Sequence, residues 1–317
     1  MKHTLDPDTR LLIFGGSGFV GRALCRQLVT QGFDRITVPT RRRAHARALS
    51  VLPGVTVLET RLLDDESLKA QVGQADVVIN LIAILQGSEA AFEAAHVRWP
   101  RRLVQACEAV GGRRLIHVSA LGVAEDAPSR YLRSKARGEA VIRASSLDWR
   151  LLRPSVIFGA EDRFLNLFAQ LQQAFPVLPL AGPGAQFQPV WVEDVAAALR
   201  RLIEAPEAAG RVYEAAGPQV LALHELVRLA GQLLSRPRPI LPLPEPLAWL
   251  QALFMEGLPG EPLMSRDNLA SMRVPNIASG RLPGLADLGI SPRSVAGVLE
   301  APPQAQRLDR WRSMVRG

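Results

Sequence analysis

The chain has 317 residues, 48% of them hydrophobic, enough to bury a large core in one large or two modest domains. Its formal charge is +8, yet only three of the 38 basic residues are lysine (Lys2, Lys69, Lys135), a skew that reads as codon bias rather than as a surface built for an anionic partner. No basic run is interleaved with aromatic residues and no helix-turn-helix or zinc-finger spacing occurs, so nucleic acid is not expected; no apolar run reaches 18 residues, so no membrane span is expected either.

The N-terminus, Met1 to Asp8, is polar and too short before the first strand to be a secretory signal. Leu11-Leu12-Ile13-Phe14 reads as a buried strand that runs into Gly15-Gly16-Ser17-Gly18-Phe19-Val20-Gly21 and then a helix with Val20, Leu24 and Leu28 on one face. Glycines at 15, 18 and 21 permit a tight turn, a close backbone approach to a diphosphate and close helix-on-strand packing; the free N–H groups at the helix start receive the phosphates. Gly15, Ser17, Gly18, Phe19, Val20 and Gly21 are therefore the expected dinucleotide cradle.

Ile36-Thr37-Val38 is a second strand. NAD-binding members of this architecture carry an acidic residue after it, whereas here Val38-Pro39-Thr40 leads into Arg41-Arg42-Arg43. Guanidinium forks suit a 2′-phosphate, which favours NADPH over NADH with Arg41 and Arg42 as contacts. A third strand spans Val55 to Leu58, and Asp64 after it is a weaker candidate for an adenine contact. A fourth begins at Ala75 and a fifth covers Arg114 to Ser119, with a long helix between them whose apolar side includes Phe92, Val97, Leu103, Val104, Cys107 and Val110. Alternation of this kind predicts an α/β fold, a Rossmann-type doubly wound parallel sheet, with ligands beyond the carboxyl ends of its strands. Leu81, Ile82, Ala83, Pro154 and Val156, which follow strands, are expected along the cofactor. Cys25 and Cys107 lie among apolar neighbours and read as buried thiols in a reducing cytosol. They show no metal-ligand spacing, so no metal is expected.

One of the two tyrosines and one of the three lysines fall four residues apart, in Ser129-Arg130-Tyr131-Leu132-Arg133-Ser134-Lys135. On a helix they share a face, and a nearby ammonium is expected to lower the phenol pKa from about 10. Tyr131 is then a usable acid/base, with Ser119 at the end of the fifth strand to orient a carbonyl and Lys135 also reaching the cofactor ribose. Beyond Trp149-Arg150-Leu151-Leu152 the alternation breaks. Pro189 to Val195 reads as a strand feeding a helix capped by Asp194, and Val212 to Ala215 as a last strand returning to the sheet. Glu161 and Asp162 are expected to cap a helix starting near Phe164, with a substrate contact as the alternative.

The dinucleotide domain is expected over 8–160, completed by 188–216. Residues 161–187 and 217–317 form a small, mostly helical C-terminal lobe over the cleft. Within it Leu247 to Met255, with Trp249, Leu250, Leu253 and Phe254, is too short to cross a bilayer. The first expectation is a lid packed on its own domain, the others a helix lying on a membrane or admitting an apolar tail.

The glycine loop, Ser119, Tyr131/Lys135 and Arg153-Pro154-Ser155 together resemble the extended and atypical short-chain dehydrogenase/reductases. Over residues 10 to 290, and most specifically in Glu161-Asp162-Arg163-Phe164-Leu165-Asn166, the chain resembles bacterial relatives of the dehydrogenase-like accessory subunit of respiratory complex I. That resemblance implies bound NADPH and a link to the respiratory chain or ubiquinone metabolism. Three functions fit it: an NADPH-dependent oxidoreductase acting on an apolar, quinone-like substrate; a non-catalytic NADPH-holding structural, assembly or sensor protein on a respiratory membrane complex; and an epimerase or dehydratase. A cytoplasmic location follows, with peripheral contact at the inner face of the membrane. Arg61 and His96 depart from the broader pattern, which has Asp and Asn there.

Overall fold

The computed structural model describes residues 8–60, 64–233, 237–257 and 262–299. Residues 1–7 and Arg61 lie outside these, so the readings made on them stay at the level of sequence. Six strands alternate with helices through the first half: β1 (Leu11–Phe14), β2 (Ile36–Thr40), β3 (Val55–Glu59), β4 (Val77–Asn80), β5 (Arg114–Val118) and β6 (Trp149–Pro154). A seventh, β7 (Arg211–Ala215), joins the far edge beside β6. The sheet order is β3-β2-β1-β4-β5-β6-β7, with every neighbouring pair parallel. This is the expected Rossmann-type sheet. All residues of β1 and β4 are buried, as a strand covered on both faces requires.

Alternation along the strands sorts side chains to two cores. Leu11, Ile13, Val77, Ile79, Ile116 and Leu152 face α1 (Phe19–Thr30) and α7 (Val192–Glu204). Leu12, Phe14, Val78, Leu115 and Leu151 face α2 (Asp65–Gly73), α4 (Trp99–Ala109) and α5 (Arg130–Arg143). Cys25 and Cys107 are buried one in each core, and burial pushes both thiols up to about 12.

The long helix before β5 is not uniform. It starts as α3 (Glu89–Glu93), passes through a π-helical turn over Ala94–Arg98 and continues as α4. Helix α5 lies against that turn so closely that a Cβ on Gly138 would sit 1.9 Å from the carbonyl oxygen of His96. The C-terminal lobe contains α6 (Leu165–Ala174), α8 (Leu223–Leu233), α9 (Glu245–Glu256), α10 (Arg266–Ser271) and α11 (Val295–Leu299), with short ribbons that include Leu178–Ala181 beside Ile240–Leu243. Its own core joins Phe168, Leu180, Leu223 and Val227.

Two local expectations shift. Helix α7 begins at Val192 after Trp191, so Asp194 stands inside the first turn rather than at the cap; its carboxylate instead accepts the N–H of Arg293 at 2.8 Å. Helix α9 does not pack as a lid through its large side chains. Only Ala248 and Ala252 are buried, while Leu247, Trp249, Leu250, Leu253 and Phe254 face outward, Phe254 at 69% exposure. Among the described residues no helix is long and apolar enough to cross a membrane.

Gly138→Ala should lower folding stability by about 3 kcal/mol, because neither backbone can yield without displacing the π turn. Urea unfolding checks this, with the midpoint falling at unchanged slope.

Candidate active site

The loop after β1 is shaped by what its glycines leave out. Gly15 has φ +79°, and a Cβ there would lie 3.0 Å from the Leu81 carbonyl carbon. A Cβ on Gly16 would strike Val38 at 2.8 Å, and one on Gly21 would fall 2.4 Å from the Gly16 Cα. Gly18 caps α1 without a side-chain hydrogen bond, and the first turn of α1 carries no acidic residue. The positive end of the helix is therefore unquenched and its entrance is kept narrow, which fits a diphosphate. Arg22 steadies the loop from behind: one arm donates to the Ser17 carbonyl at 2.7 Å and the other to Glu161. Asp162 caps α6, accepting from the N–H groups of Phe164 and Leu165 at 2.8 and 2.6 Å.

Helix α5 starts at the Ser129 cap and brings Tyr131 and Lys135 to the carboxyl end of β5. Lys135 is 1% exposed, and its ammonium donates to the Val118 carbonyl at 2.9 Å. Burial pulls its pKa down to about 8, partly offset by Glu139. Ser119 follows directly, and its buried Oγ is one of the few side-chain atoms with no hydrogen-bond partner among the described residues. Tyr131 stands with its ring 5.5 Å from that of His96. The lowering of its pKa expected from Lys135 is not found. Burial pushes the phenol up to about 12, while the ammonium is turned to a backbone carbonyl.

A buried polar layer supports these groups. His96 Nε2 accepts the Ile84 N–H at 3.1 Å, so its proton sits on Nδ1, which donates to Ser134 Oγ at 2.8 Å; that hydroxyl donates to the Tyr131 carbonyl. Burial, with Lys135 nearby, pulls His96 down to about 3. Asn80 Oδ1 accepts from Trp99 Nε1 and the Ile82 N–H, which directs its amide nitrogen to His117 Nδ1 at 2.9 Å. Beside them Arg153 grips Glu139 with two bonds, at 2.9 and 2.5 Å.

The remaining candidates divide. Leu81 and Ile82 lie directly against Gly15, and Ala83 continues that segment. Pro154 and Val156 flank Ser155, and the Val156 N–H donates to Asn276 Oδ1 at 2.8 Å. Arg41 and Arg42 are exposed after β2 and make no side-chain bond among the described residues. Asp64 caps α2, accepting the Ser67 N–H at 2.7 Å. Two residues near the site escaped the sequence reading. Asp267 accepts the N–H groups of Arg130 and Tyr131, and Asn276 pins the turn after β6. No local motif announces either. Among the described residues no cluster of metal-ligating side chains occurs.

A glycine-lined helix entrance at the centre of a parallel sheet, with Ser, Tyr and Lys at the neighbouring strand end, defines an NAD(P)H-binding protein of the short-chain dehydrogenase/reductase type. The family described as NAD(P)H-binding matches residues 15–168. Mitochondrial NADH dehydrogenase [ubiquinone] 1 alpha subcomplex subunit 9 of Mus musculus is 35% identical over 291 residues, covering 88% of this chain and 76% of the relative. The chain belongs to the family of that subunit. A ceramide reductase of Caulobacter vibrioides is 30% identical over 198 residues, 61% of each chain. Among solved structures, the dTDP-glucose 4,6-dehydratase DesIV of Streptomyces venezuelae, with NAD and TYD bound, superposes with a TM-score of 0.71 at 21% identity, over 96% of this chain and 98% of that one.

Between pH 8 and 10.5 the unfolded chain keeps a proton on Lys135 that the folded chain has lost, so stability rises with pH across that window. Below pH 8 the buried ammonium is a full penalty. Lys135→Met should therefore stabilise the fold by about 2 kcal/mol at pH 7, after allowing for the lost hydrogen bond, and by little at pH 10. Urea midpoints at the two pH values test it.

Proposed function

We propose that the protein is an NADPH-dependent oxidoreductase that reduces an apolar, quinone-like carbonyl compound in connection with the respiratory chain or ubiquinone metabolism. The observation that carries this reading is the buried hydroxyl of Ser119, unpartnered among the described residues and one residue beyond the carbonyl that holds Lys135. A buried hydroxyl that the fold leaves unmatched is available to a ligand oxygen. Gly15, Ser17, Gly18, Phe19, Val20 and Gly21 would hold the diphosphate, Arg41 and Arg42 the 2′-phosphate, with Leu81, Ile82, Ala83, Pro154 and Val156 along the nicotinamide half and Lys135 at its ribose. When bound, the nicotinamide supplies hydride to a carbonyl carbon. Ser119 donates a hydrogen bond to the carbonyl oxygen, and Tyr131 gives that oxygen its proton. A phenol at about 12 is a weak acid, so it delivers the proton only as negative charge develops on the acceptor.

A second reading has its own support. Lys135 is committed to Val118 and Tyr131 is held protonated, as suits a protein that retains NADPH without turnover. Relatives named as subunits of NADH dehydrogenase [ubiquinone] and of NADH-ubiquinone oxidoreductase support a place in a respiratory complex. Under either reading we place the protein in the cytoplasm, in peripheral contact with a respiratory complex or its membrane; the contact, though not the compartment, is supported by those mitochondrial relatives and by the exposed apolar face of α9.

Tyr131→Phe should cut NADPH-driven quinone or ketone reduction at least 100-fold while nucleotide affinity stays within about twofold. Tightly held nucleotide without turnover in the unaltered chain would favour the second reading. The double substitution Arg41→Ala, Arg42→Ala should weaken NADPH ~10- to 100-fold and NADH less than about threefold. Titration calorimetry decides, and equal losses would remove the NADPH assignment.

A further inference from the structure

The start of α5 is held from a distant part of the chain. Ser129 already supplies an ordinary cap, accepting the Leu132 N–H at 3.2 Å. Two more first-turn donors, those of Arg130 and Tyr131, would normally turn to water. Instead Asp267, in α10 of the C-terminal lobe, accepts both: Oδ1 from Arg130 at 2.7 Å and Oδ2 from Tyr131 at 3.0 Å. The guanidinium of Arg130 closes on the same carboxylate at 3.4 Å. Asp267 is 7% exposed, so the clamp is shielded from solvent.

Helix α10 is fixed in turn. Ser265 and Asn268 form a capping box at its start, and Asn268 Oδ1 accepts from Gln86 Nε2 at 3.3 Å, on the segment after β4. Arg266 binds Glu256 of α9 through its N–H at 2.7 Å and its guanidinium at 2.8 Å, and stacks on Trp249. The lobe therefore grips the site from two sides, on the segment after β4 and on the backbone of Tyr131 itself.

We propose that Asp267 is a positioning residue for Tyr131, through which the C-terminal lobe sets where the phenol stands. The role rests on the reading of Tyr131 as proton donor. A carboxylate suits this position because it satisfies two adjacent amides at once and opposes the positive end of the helix.

The chain has two tyrosines, so Tyr213→Phe leaves Tyr131 as the single 13Cζ-tyrosine resonance of a labelled full-length protein. In that background Asp267→Ala should shift this resonance and speed amide exchange at Arg130 and Tyr131 at least tenfold. Exchange in α1 and NADPH affinity should stay within twofold, and Asp267→Asn, which keeps one acceptor oxygen, should restore part of the protection. Should Asp267→Ala fail to fold, the same local readouts on Asp267→Asn carry the test. An unmoved resonance with unchanged exchange would overturn the proposal, as would loss of NADPH affinity in step with the local changes. NADPH-driven reduction of menadione, run alongside, separates the two ideas. A silent unaltered chain removes the reductase reading, while the resonance still reports the clamp; a turnover lowered by Asp267→Ala at unchanged KM for NADPH supports both.

Discussion

A single hydrogen bond, from the ammonium of Lys135 to the carbonyl of Val118, joins the helix that carries Tyr131 to the strand that ends beside it. Everything near it is arranged to permit that approach. Gly138 lets α5 touch the π turn, Glu139 and Arg153 neutralise each other next to the lysine, and burial, with Lys135 nearby, keeps His96 and His117 uncharged. The face of α5 toward the sheet is thus held mainly by polar groups matched one to one, with hydrocarbon packing at Ile142 farther along. Such layers tolerate few alternative arrangements, so Tyr131, Lys135 and Ser119 are held at a fixed spacing.

Much of the fold was legible because it is dictated locally. Four apolar residues followed by a glycine-spaced turn can do little other than enter a buried strand and open a helix, and the repetition of that unit fixes the parallel sheet. The tyrosine and lysine were visible for the same reason, sharing one helical face. What stayed hidden depends on partners far along the chain. Asp267 meets Tyr131 across 136 residues and Asn276 meets Val156 across 120, and neither sits in a pattern that distinguishes it from an ordinary loop residue. Asp64 and Asp194 show the converse difficulty: a carboxylate near a helix start can cap, pair or bind, and only the surroundings select among these. The phenol of Tyr131 is raised rather than lowered because desolvation acts on it as on Lys135, an effect that adjacency on a helix does not reveal.

Arginine abundance takes on a different meaning in three dimensions. Arg150 is fully buried at the start of β6, where it forks onto Asp148 and reaches the Leu202 carbonyl. Arg114 meets the same carboxylate from β5, and Arg153 holds Glu139. Planar guanidinium groups serve these interior sites better than ammonium would, since each satisfies several acceptors in one plane. Part of the positive charge counted along the sequence is therefore internal architecture, and the exposed run at Arg41 to Arg43 stands out the more for lacking such partners among the described residues.

The π turn over Ala94–Arg98 carries one residue more than an α-helical path would need. Its phase decides that the imidazole of His96 meets Ser134 and the indole of Trp99 meets Asn80, one contact within the irregularity and one directly beyond it. Homologues with an unbroken helix here would need a one-residue gap to be compared correctly. Without that gap, an equivalence drawn at position 96 would pair side chains that point to different neighbours.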